Sequence, residues 1–272
     1  MLNRHYHSML GEKDIIFELF QYAQERGKVV GKDHVYDFSL GNPSVPAPDK
    51  VNQTIIDKVS HLDPLSLHGY SPGMGVPETR SAIAHALNQR YGMHYRPENI
   101  FMTIGAAGAL AHALRAVTNP GEEIITFAPY FSEYKPYAAG ASLRLSVVPA
   151  DTDTFQINFT DFRTRLNPSV SAILINSPNN PSGIVYSTAT IEKLAAILTE
   201  KASEYGHPIY LISDEPYRDI VFSGTDSPYI ASLYKDTLTC YSFSKSLSLP
   251  GERIGYLAVH PECTDGQDII AI

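Results

Sequence analysis

The segment LTCYSFSKSLSLPGERIGYLAV, residues 238–259, consists of two apolar runs separated by a polar turn. The runs Leu238–Phe243 and Ile254–Val259 have the length and composition of buried strands. The turn between them carries Lys245 and Arg253 among serines, a proline and a glycine. In an open α/β sheet, ligands bind outside the carboxyl ends of the strands. A lysine that directly follows an apolar strand therefore indicates a functional site.

The same pattern extends over the chain from about residue 100, where short apolar runs alternate with segments of helical periodicity. The clearest helix is predicted at Thr188–Tyr205, where the apolar residues share one face. The pattern predicts an α/β fold with a mainly parallel, seven-stranded sheet sandwiched by helices. The other strand candidates are Ile100–Ile104, Glu123–Phe127, Leu143–Val148, Ala172–Asn176 and Ile209–Ser213.

The part before residue 100 is less regular. An amphipathic stretch at Asp14–Arg26 is followed by the turn-rich segment GNPSVPAP, residues 41–48. So many prolines in so few residues are typical of a connection, and we place a domain boundary there.

Composition and charge exclude several classes of function. The chain has 272 residues and a formal net charge of -8, which argues against nucleic acid or an anionic membrane as the main partner. Its two cysteines cannot form a disulfide framework or a cysteine-rich zinc site, and we predict no metal site. Residues 1–14 lack the apolar core of a signal peptide, and no later stretch is apolar enough to span a membrane. We therefore expect a cytoplasmic protein.

Three further positions after predicted strands carry distinctive residues. Gly105, Ala106 and Ala107 begin an alanine-rich helix, and the free N–H groups of a helix start attract anions, although close helix packing explains small residues equally well. Asn180 lies in SPNNPSG, residues 177–183, either as a turn former or as an amide donor to a ligand. Each of these two signals is weak alone.

The third position is Asp214 in DEPY, residues 214–217, which also contains Tyr217. A carboxylate at the mouth of a buried strand needs a compensating partner, and a cap or salt bridge is its ordinary role. Together with Lys245, however, these residues are the parts that hold pyridoxal 5'-phosphate. The lysine forms a Schiff base, the carboxylate keeps the pyridine nitrogen protonated, and the phenol and amide bind the ring's phenolic oxygen. The serines of SFS, residues 242–244, Arg253 and the helix start then hold the phosphate.

The sequence resembles the class I and II aminotransferases, which are fold type I pyridoxal-phosphate enzymes. The resemblance implies an enzyme that moves an amino group between an L-amino acid and a 2-oxo acid by a ping-pong mechanism. It further implies a cytoplasmic homodimer whose large domain is residues 46–272, with residues 1–45 as an N-terminal arm and part of an incomplete small domain. It is carried by seven motifs in the family's order: LGNPS at 40–44, GYSPGMGVPETRSAI at 69–83, TIGAAGAL at 103–110, PYFSEY at 129–134, NSPNNPSG at 176–183, SDEPY at 213–217 and SFSKSLSLPGERIGY at 242–256.

The resemblance also implies a role for each matching residue. Lys245, Asp214 and Tyr217 are the expected catalytic residues. Phe131 is expected to stack on the pyridine ring, and its neighbour Tyr130 is easily mistaken for it. The remaining cofactor-binding residues are expected to be Tyr70 of the other subunit, Gly105, Ala106, Ala107, Asn180, Ser242, Ser244 and Arg253, and the substrate-binding residues Gly41 and Asn180.

One departure from the family's pattern leaves alternatives open. Family members continue past the equivalent of Ile272, and an arginine there binds the substrate's α-carboxylate, whereas no Arg or Lys follows Tyr256 here. The chain is then either a fragment or naturally short. Three other interpretations are a pyridoxal-phosphate lyase of the same fold, a ligand-sensing module without catalysis, and a catalytically incomplete fragment that binds the cofactor. The amino donor is not identified by the sequence.

Overall fold

The computed structural model describes residues 2, 7–8 and 15–272. Two expectations concern residues that are largely outside this description. One is that residues 1–14 are not a signal peptide, and the other is that the first helix begins at Asp14. Contacts between residues divide the chain into two units, residues 1–46 and 47–272. The assignment of residues 1–45 to an arm and a small domain stays a prediction.

In the described residues of the first unit, a long helix, α1, lies at Ile15–Val30, and a short 3₁₀ helix follows at Lys32–His34. Glu18 in the first turn of α1 and Lys28 in its last turn both complement the helix dipole. Gly31 follows α1 with a φ of 93°, a conformation that glycine adopts without strain. The helix runs four residues beyond the predicted end at Arg26.

The second unit begins with helices that precede the sheet. These are α2 at Asp49–His61, α3 at Pro64–His68 and α4 at Pro77–Tyr91, followed by a 3₁₀ helix at Pro97–Asn99. Proline occupies the first turn of α3 and of α4, where its missing N–H costs nothing. In α2, none of the residues is buried within this chain.

The seven predicted strands are confirmed, with ends that differ from the predicted ones by no more than two residues. Asp214 is the last residue of its strand rather than the residue after it, and Phe243 begins a helix rather than ending a strand. The strands are β1 at Ile100–Thr103, β2 at Glu123–Phe127, β3 at Arg144–Val148, β4 at Val170–Asn176, β5 at Tyr210–Asp214, β6 at Thr237–Ser242 and β7 at Gly255–Val259.

The strands form one sheet in the order β1-β7-β6-β5-β4-β2-β3. Neighbours from β6 to β3 are parallel, and β7 is antiparallel to both β6 and β1. The mainly parallel sheet is thereby confirmed. Its other helices are α5 at Gly105–Val117, α6 at Tyr134–Gly140, α7 at Phe159–Arg165, α8 at Thr188–Tyr205, α9 at Phe243–Ser246 and α10 at Gly266–Ala271, with a 3₁₀ helix at Ile230–Ser232.

Helices cover both faces of the sheet. The side chains of a strand point alternately to opposite faces, so apolar residues on both faces need a cover. In β4, Leu174 packs with α5 and α6 on one face, and Ile173 packs with α8 on the other. Every residue of β4 is buried, as expected for a central strand covered on both sides. Among the described residues, no helix has the length and apolarity to cross a membrane.

Candidate active site

The sheet brings most of the predicted site residues to one edge. Asn176 at the end of β4 pairs in register with Asp214 at the end of β5. Ser242 ends β6 and pairs with Gly255, which begins the antiparallel strand β7 and also pairs with Thr103 at the end of β1. The segments that follow β1, β4, β5 and β6 and the segment that precedes β7 therefore all emerge at this edge.

Asp214 is the most unusual ionisable residue at this edge. Its side chain is buried, and Oδ2 accepts a hydrogen bond from the Tyr134 hydroxyl at 2.6 Å. Within the described part of the chain, Oδ1 has no hydrogen-bond partner. Burial, with a contribution from the neighbouring charge of Glu215, raises the pKa of Asp214 to about 7. A buried carboxylate oxygen without a donor is costly, so this position favours a ligand that brings a proton to it.

Tyr134 is a residue of the site that the sequence analysis missed. It begins α6, and its side chain is completely buried. Burial and the adjacent charge of Asp214 raise the pKa of Tyr134 well above its ordinary value, so the phenol stays protonated and donates. The partner that the sequence required for Asp214 is therefore a phenol, not a helix N-terminus or a basic side chain. The available signal was the second tyrosine of the PYFSEY motif.

Lys245 lies on α9, a single helical turn that follows β6 directly. Burial lowers the pKa of Lys245, and the nearby charge of Arg253 lowers it further. Its Nζ lies 6.0 Å from the centre of the Tyr217 ring. A lowered pKa increases the fraction of neutral, nucleophilic amine at neutral pH.

Asn180 and Tyr217 lie together, although 37 positions separate them in the sequence. Their side chains are hydrogen-bonded, and both line a cleft of about 560 Å³. Burial raises the pKa of Tyr217, so its phenol is protonated at neutral pH. The neighbouring Asn179 has a structural task instead, because its Oδ1 accepts hydrogen bonds from the backbone and side chain of Ser182 at 3.0 and 2.7 Å.

An anion-binding corner is formed where α5 begins. Gly105 starts the helix with a φ of 76°, and the preceding Ile104 provides no side-chain cap for the first N–H groups. A Cβ placed on Gly105 would lie 3.0 Å from Nη2 of Arg253. The Nη1 atom of Arg253 donates to the Pro250 carbonyl at 3.0 Å, which fixes the guanidinium. Ala106 and Ala107 follow in the first turn, so their small side chains leave the backbone accessible.

Arg253 has a strained backbone conformation. Its φ of 54° is in the left-handed region, which costs a residue with a side chain free energy and is concentrated at functional sites. Ser242 at the end of β6 and Ser244 in α9 are both buried and are bonded to each other. Ser242 Oγ donates to Ser244 Oγ at 2.6 Å and accepts from the Ser244 N–H at 3.0 Å.

The remaining predicted residues have different surroundings. Phe131 packs its ring edge-on against Tyr134 with 5.9 Å between the centroids, whereas Tyr130 lies parallel to Tyr134 at 6.3 Å. Tyr70 is fully exposed in the connection between α3 and α4. Gly41 belongs to the first unit, after the 3₁₀ helix, and its role in substrate binding stays a prediction.

These residues fit pyridoxal phosphate. The partnerless Oδ1 of Asp214 matches a protonated ring nitrogen, and the amine of Lys245, with its lowered pKa, matches an aldehyde. The corner of Gly105 and Arg253 offers backbone donors and a guanidinium, which suit a phosphate. The roles assigned to the individual residues stay predictions.

Comparisons with known proteins place the chain in one family. The sequence profile described as aminotransferase class I and II matches residues 33–271. An aspartate aminotransferase of Pinus pinaster is 32% identical over 82% of this chain and 45% of its own length. An aspartate/prephenate aminotransferase of Thermus thermophilus is 32% identical over 69% of the chain and 47% of its own length. The chain thus spans about half the length of these relatives.

Solved structures are similar over the whole chain. An aminotransferase from Eubacterium rectale has a TM-score of 0.95 at 48% identity, covering 100% of this chain and 68% of that one. The aspartate aminotransferase of Thermus thermophilus, solved with maleate, has a TM-score of 0.83 at 26% identity, covering 100% of this chain and 67% of that one. These likenesses confirm the family, the fold and the cofactor expected from the sequence: the chain belongs to the class I and II aminotransferases, a family of fold type I pyridoxal-phosphate enzymes.

Proposed function

We propose that this chain is a pyridoxal-phosphate-dependent aminotransferase that moves an amino group between an L-amino acid and a 2-oxo acid. The observation that carries the proposal is the buried Asp214 carboxylate with one oxygen lacking a partner in the described structure, at the same sheet edge as an amine of lowered pKa. When bound, pyridoxal phosphate supplies an aldehyde carbon that takes up the amino group and a ring that accepts electrons from the substrate's α-carbon.

The residues of this chain then have distinct tasks. Asp214 holds the proton at the ring nitrogen, and Tyr134 keeps its carboxylate oriented. Tyr217 and Asn180 bind the ring's phenolic oxygen, and Phe131 covers one ring face. Gly105, Ala106, Ala107, Ser242, Ser244 and Arg253 bind the phosphate.

Lys245 is proposed to act as general base and general acid. Its amine, once released by an incoming amino acid, removes the proton from the substrate's α-carbon and later returns a proton. A neutral amine is required for the first step, and the lowered pKa of Lys245 favours that form. Because the amino group is held on the enzyme between two half-reactions, ping-pong kinetics are expected.

Aspartate is the first donor to test, since the relatives from Pinus pinaster and Thermus thermophilus are named for it. The proposal predicts that the purified chain with cofactor converts aspartate to oxaloacetate over many turnovers only when 2-oxoglutarate is present, and that without this acceptor it forms no more than one oxaloacetate per bound cofactor. Alanine and tyrosine complete the donor panel, and Lys245→Ala is the control. Release of pyruvate and ammonia from a β-substituted amino acid, without transfer to 2-oxoglutarate, would instead indicate a lyase.

We further propose that the chain acts as a homodimer in which Tyr70 reaches the phosphate of the partner's site. Two observations support this: Tyr70 is fully exposed, and α2 has no residue buried within its own chain. Mixing a Tyr70→Ala chain with a Lys245→Ala chain should restore cofactor binding, because one hybrid site has both residues intact. A monomer in light scattering would contradict the proposal. The cytoplasmic location stays a prediction, which fractionation of cells expressing the chain tests.

A further inference from the structure

Lys245 lies on a helix that is too short to be stable without contacts from outside it. Helix α9 has four residues, and a single helical turn is unfavourable in isolation. At its N-terminal end, Ser242 Oγ accepts the N–H of Ser244 at 3.0 Å. At the other end, the residue after Lys245 is Ser246, whose Oγ lies 2.7 Å from the Tyr241 hydroxyl. Lys245 therefore lies between two side-chain anchors, and only the first belongs to the phosphate corner.

The direction of the hydrogen bond between Tyr241 and Ser246 follows from the number of hydroxyl protons that are available. The Tyr241 hydroxyl also contacts Oδ2 of Asp219. Burial alone would raise the pKa of Asp219, but the Tyr241 hydrogen bond and the charges of Arg218 and Arg90 outweigh it and lower that pKa. An ionised carboxylate only accepts, so the single hydroxyl proton of Tyr241 goes to Asp219. Ser246 must then donate to the phenolic oxygen of Tyr241.

The Tyr241 ring is held in place on its faces and edge. It stacks on Tyr256 with 5.0 Å between centroids and meets Phe243 edge-on at 5.3 Å. The guanidinium of Arg218 lies 4.4 Å from the ring centre and is itself fixed by a buried ion pair with Glu215 at 2.9 Å. A buried ring packed in this way keeps its hydroxyl at one position, so the hydroxyl is a rigid anchor point.

We propose that Tyr241, oriented by Asp219, is a positioning residue that holds the Lys245 turn through Ser246. This inference rests on the proposed function, since it concerns the reach of the Lys245 amine to the aldehyde of pyridoxal phosphate. Condensation of the two forms one C=N bond and releases one water, and it requires the amine at a fixed distance from the aldehyde carbon. Pyridoxamine phosphate has no aldehyde, so its binding does not depend on where the amine lies.

The test compares the two cofactor forms on the same variants. Tyr241→Phe removes the hydroxyl and keeps the ring. Loss of one net hydrogen bond corresponds to about a three- to tenfold change in an equilibrium, so pyridoxal phosphate should bind about three- to tenfold more weakly. Binding of pyridoxamine phosphate should change by less than about twofold, because the hydrogen bond that is lost positions an amine with which this form makes no covalent bond. Ser246→Ala is a milder change and should weaken the binding of pyridoxal phosphate with the same selectivity. It replaces Tyr241→Phe in the test if that variant does not fold.

A double variant and a matched control sharpen the result. Tyr241→Phe with Ser246→Ala should lose no more than the larger single effect, because both changes remove the same hydrogen bond. Tyr234→Phe is the control: it removes a buried hydroxyl that donates to the Ile209 carbonyl at 2.8 Å, and should leave the ratio of the two affinities unchanged. Equal weakening of both cofactor forms, or no weakening in either Tyr241→Phe or Ser246→Ala, would overturn the inference. Absence of binding by the unaltered chain would instead overturn the proposed function.

Discussion

At the scale of single residues, the site depends on a carboxylate that is destabilising until a ligand arrives. Asp214 is buried, and one of its oxygens has no partner in the described structure. Its raised pKa means that the folded chain binds a proton there more tightly than the unfolded chain does. The free energy of unfolding of the cofactor-free chain should therefore fall as pH rises from about 4 to about 7, and then level off.

Asp214→Asn removes this titration and keeps an acceptor for Tyr134. At pH 8 the cofactor-free variant should be more stable than the unaltered chain, by up to about 4 kcal/mol for a pKa near 7. At pH 5 the difference should shrink, since the unaltered carboxyl is then protonated in the folded state. Thermal unfolding at the two pH values measures this, with exposed Asp153→Asn as control. Equal differences at both pH values would show that the Asp214 proton is not involved.

Tyr134→Phe tests the phenol that orients this carboxylate. Leaving a buried acceptor without its donor costs about 1–3 kcal/mol, and pyridoxal phosphate should bind about tenfold more weakly because Asp214 is no longer oriented. Absorbance titration and thermal melts measure the two effects. The control is Tyr95→Phe, which removes a buried hydroxyl bonded to Tyr229 at 2.9 Å. This variant should lower the melting temperature without weakening the binding of the cofactor. Unchanged cofactor affinity in Tyr134→Phe would contradict the role of the phenol.

The sequence identified Lys245, Asp214 and Tyr217 because each follows an apolar strand, where a polar residue is unexpected. It did not identify Tyr134, which lies 80 positions before Asp214 and looks like an ordinary core aromatic. Only the folded structure shows that the Tyr134 hydroxyl, at the start of α6, donates to the Asp214 carboxylate at the end of β5. A functional residue can therefore be predicted from the sequence when it is polar at a position where an apolar residue is expected. A functional residue that fits the apolar pattern, such as Tyr134, cannot.

At the scale of elements, the site requires close contact between the start of β7 and the start of α5. A Cβ on Gly255 would lie 2.3 Å from the Tyr241 carbonyl oxygen and 2.7 Å from the Gly105 carbonyl carbon. Both are backbone atoms, which cannot move without displacing a strand or the helix start. The glycine at position 255 is thus needed for the anion-binding corner to form.

Gly255→Ala should destabilise the chain by about 3 kcal/mol or more, because the clash is with backbone on two sides. Denaturant unfolding monitored by circular dichroism measures the loss. Gly251→Ala in the same turn is the matched control, since a Cβ added at Gly251 would meet no described atom within 4 Å. Similar stability of the two variants would refute the contact.

The strands were predictable because each is an apolar run bounded by turn residues, but their order was not. The 12-residue connection, residues 243–254, between β6 and β7 carries one short helix, and these two strands pair antiparallel. Parallel neighbours such as β4 and β5 are joined by the longer crossover that contains α8. Which strand lies beside β1 depends on the paths of all the crossovers together, which local periodicity does not encode.

At the scale of the whole molecule, an acidic chain presents a local cationic site. The net charge is -8, yet Lys245 and Arg253 lie close enough for the charge of Arg253 to lower the pKa of Lys245. An anionic ligand at this corner would reduce the repulsion between these two cations. It would also accept hydrogen bonds from the N–H groups at the start of α5. The fold therefore brings two cationic side chains together at one sheet edge of a chain that is acidic overall.

The central claim is that the Lys245 amine links covalently to pyridoxal phosphate. Borohydride reduction of the chain with cofactor, followed by peptide mass mapping, tests it most directly. The account predicts one pyridoxyl group per chain, on the peptide that contains Lys245, and none there in Lys245→Ala. Label spread over surface lysines, or the same amount of label in Lys245→Ala, would contradict it.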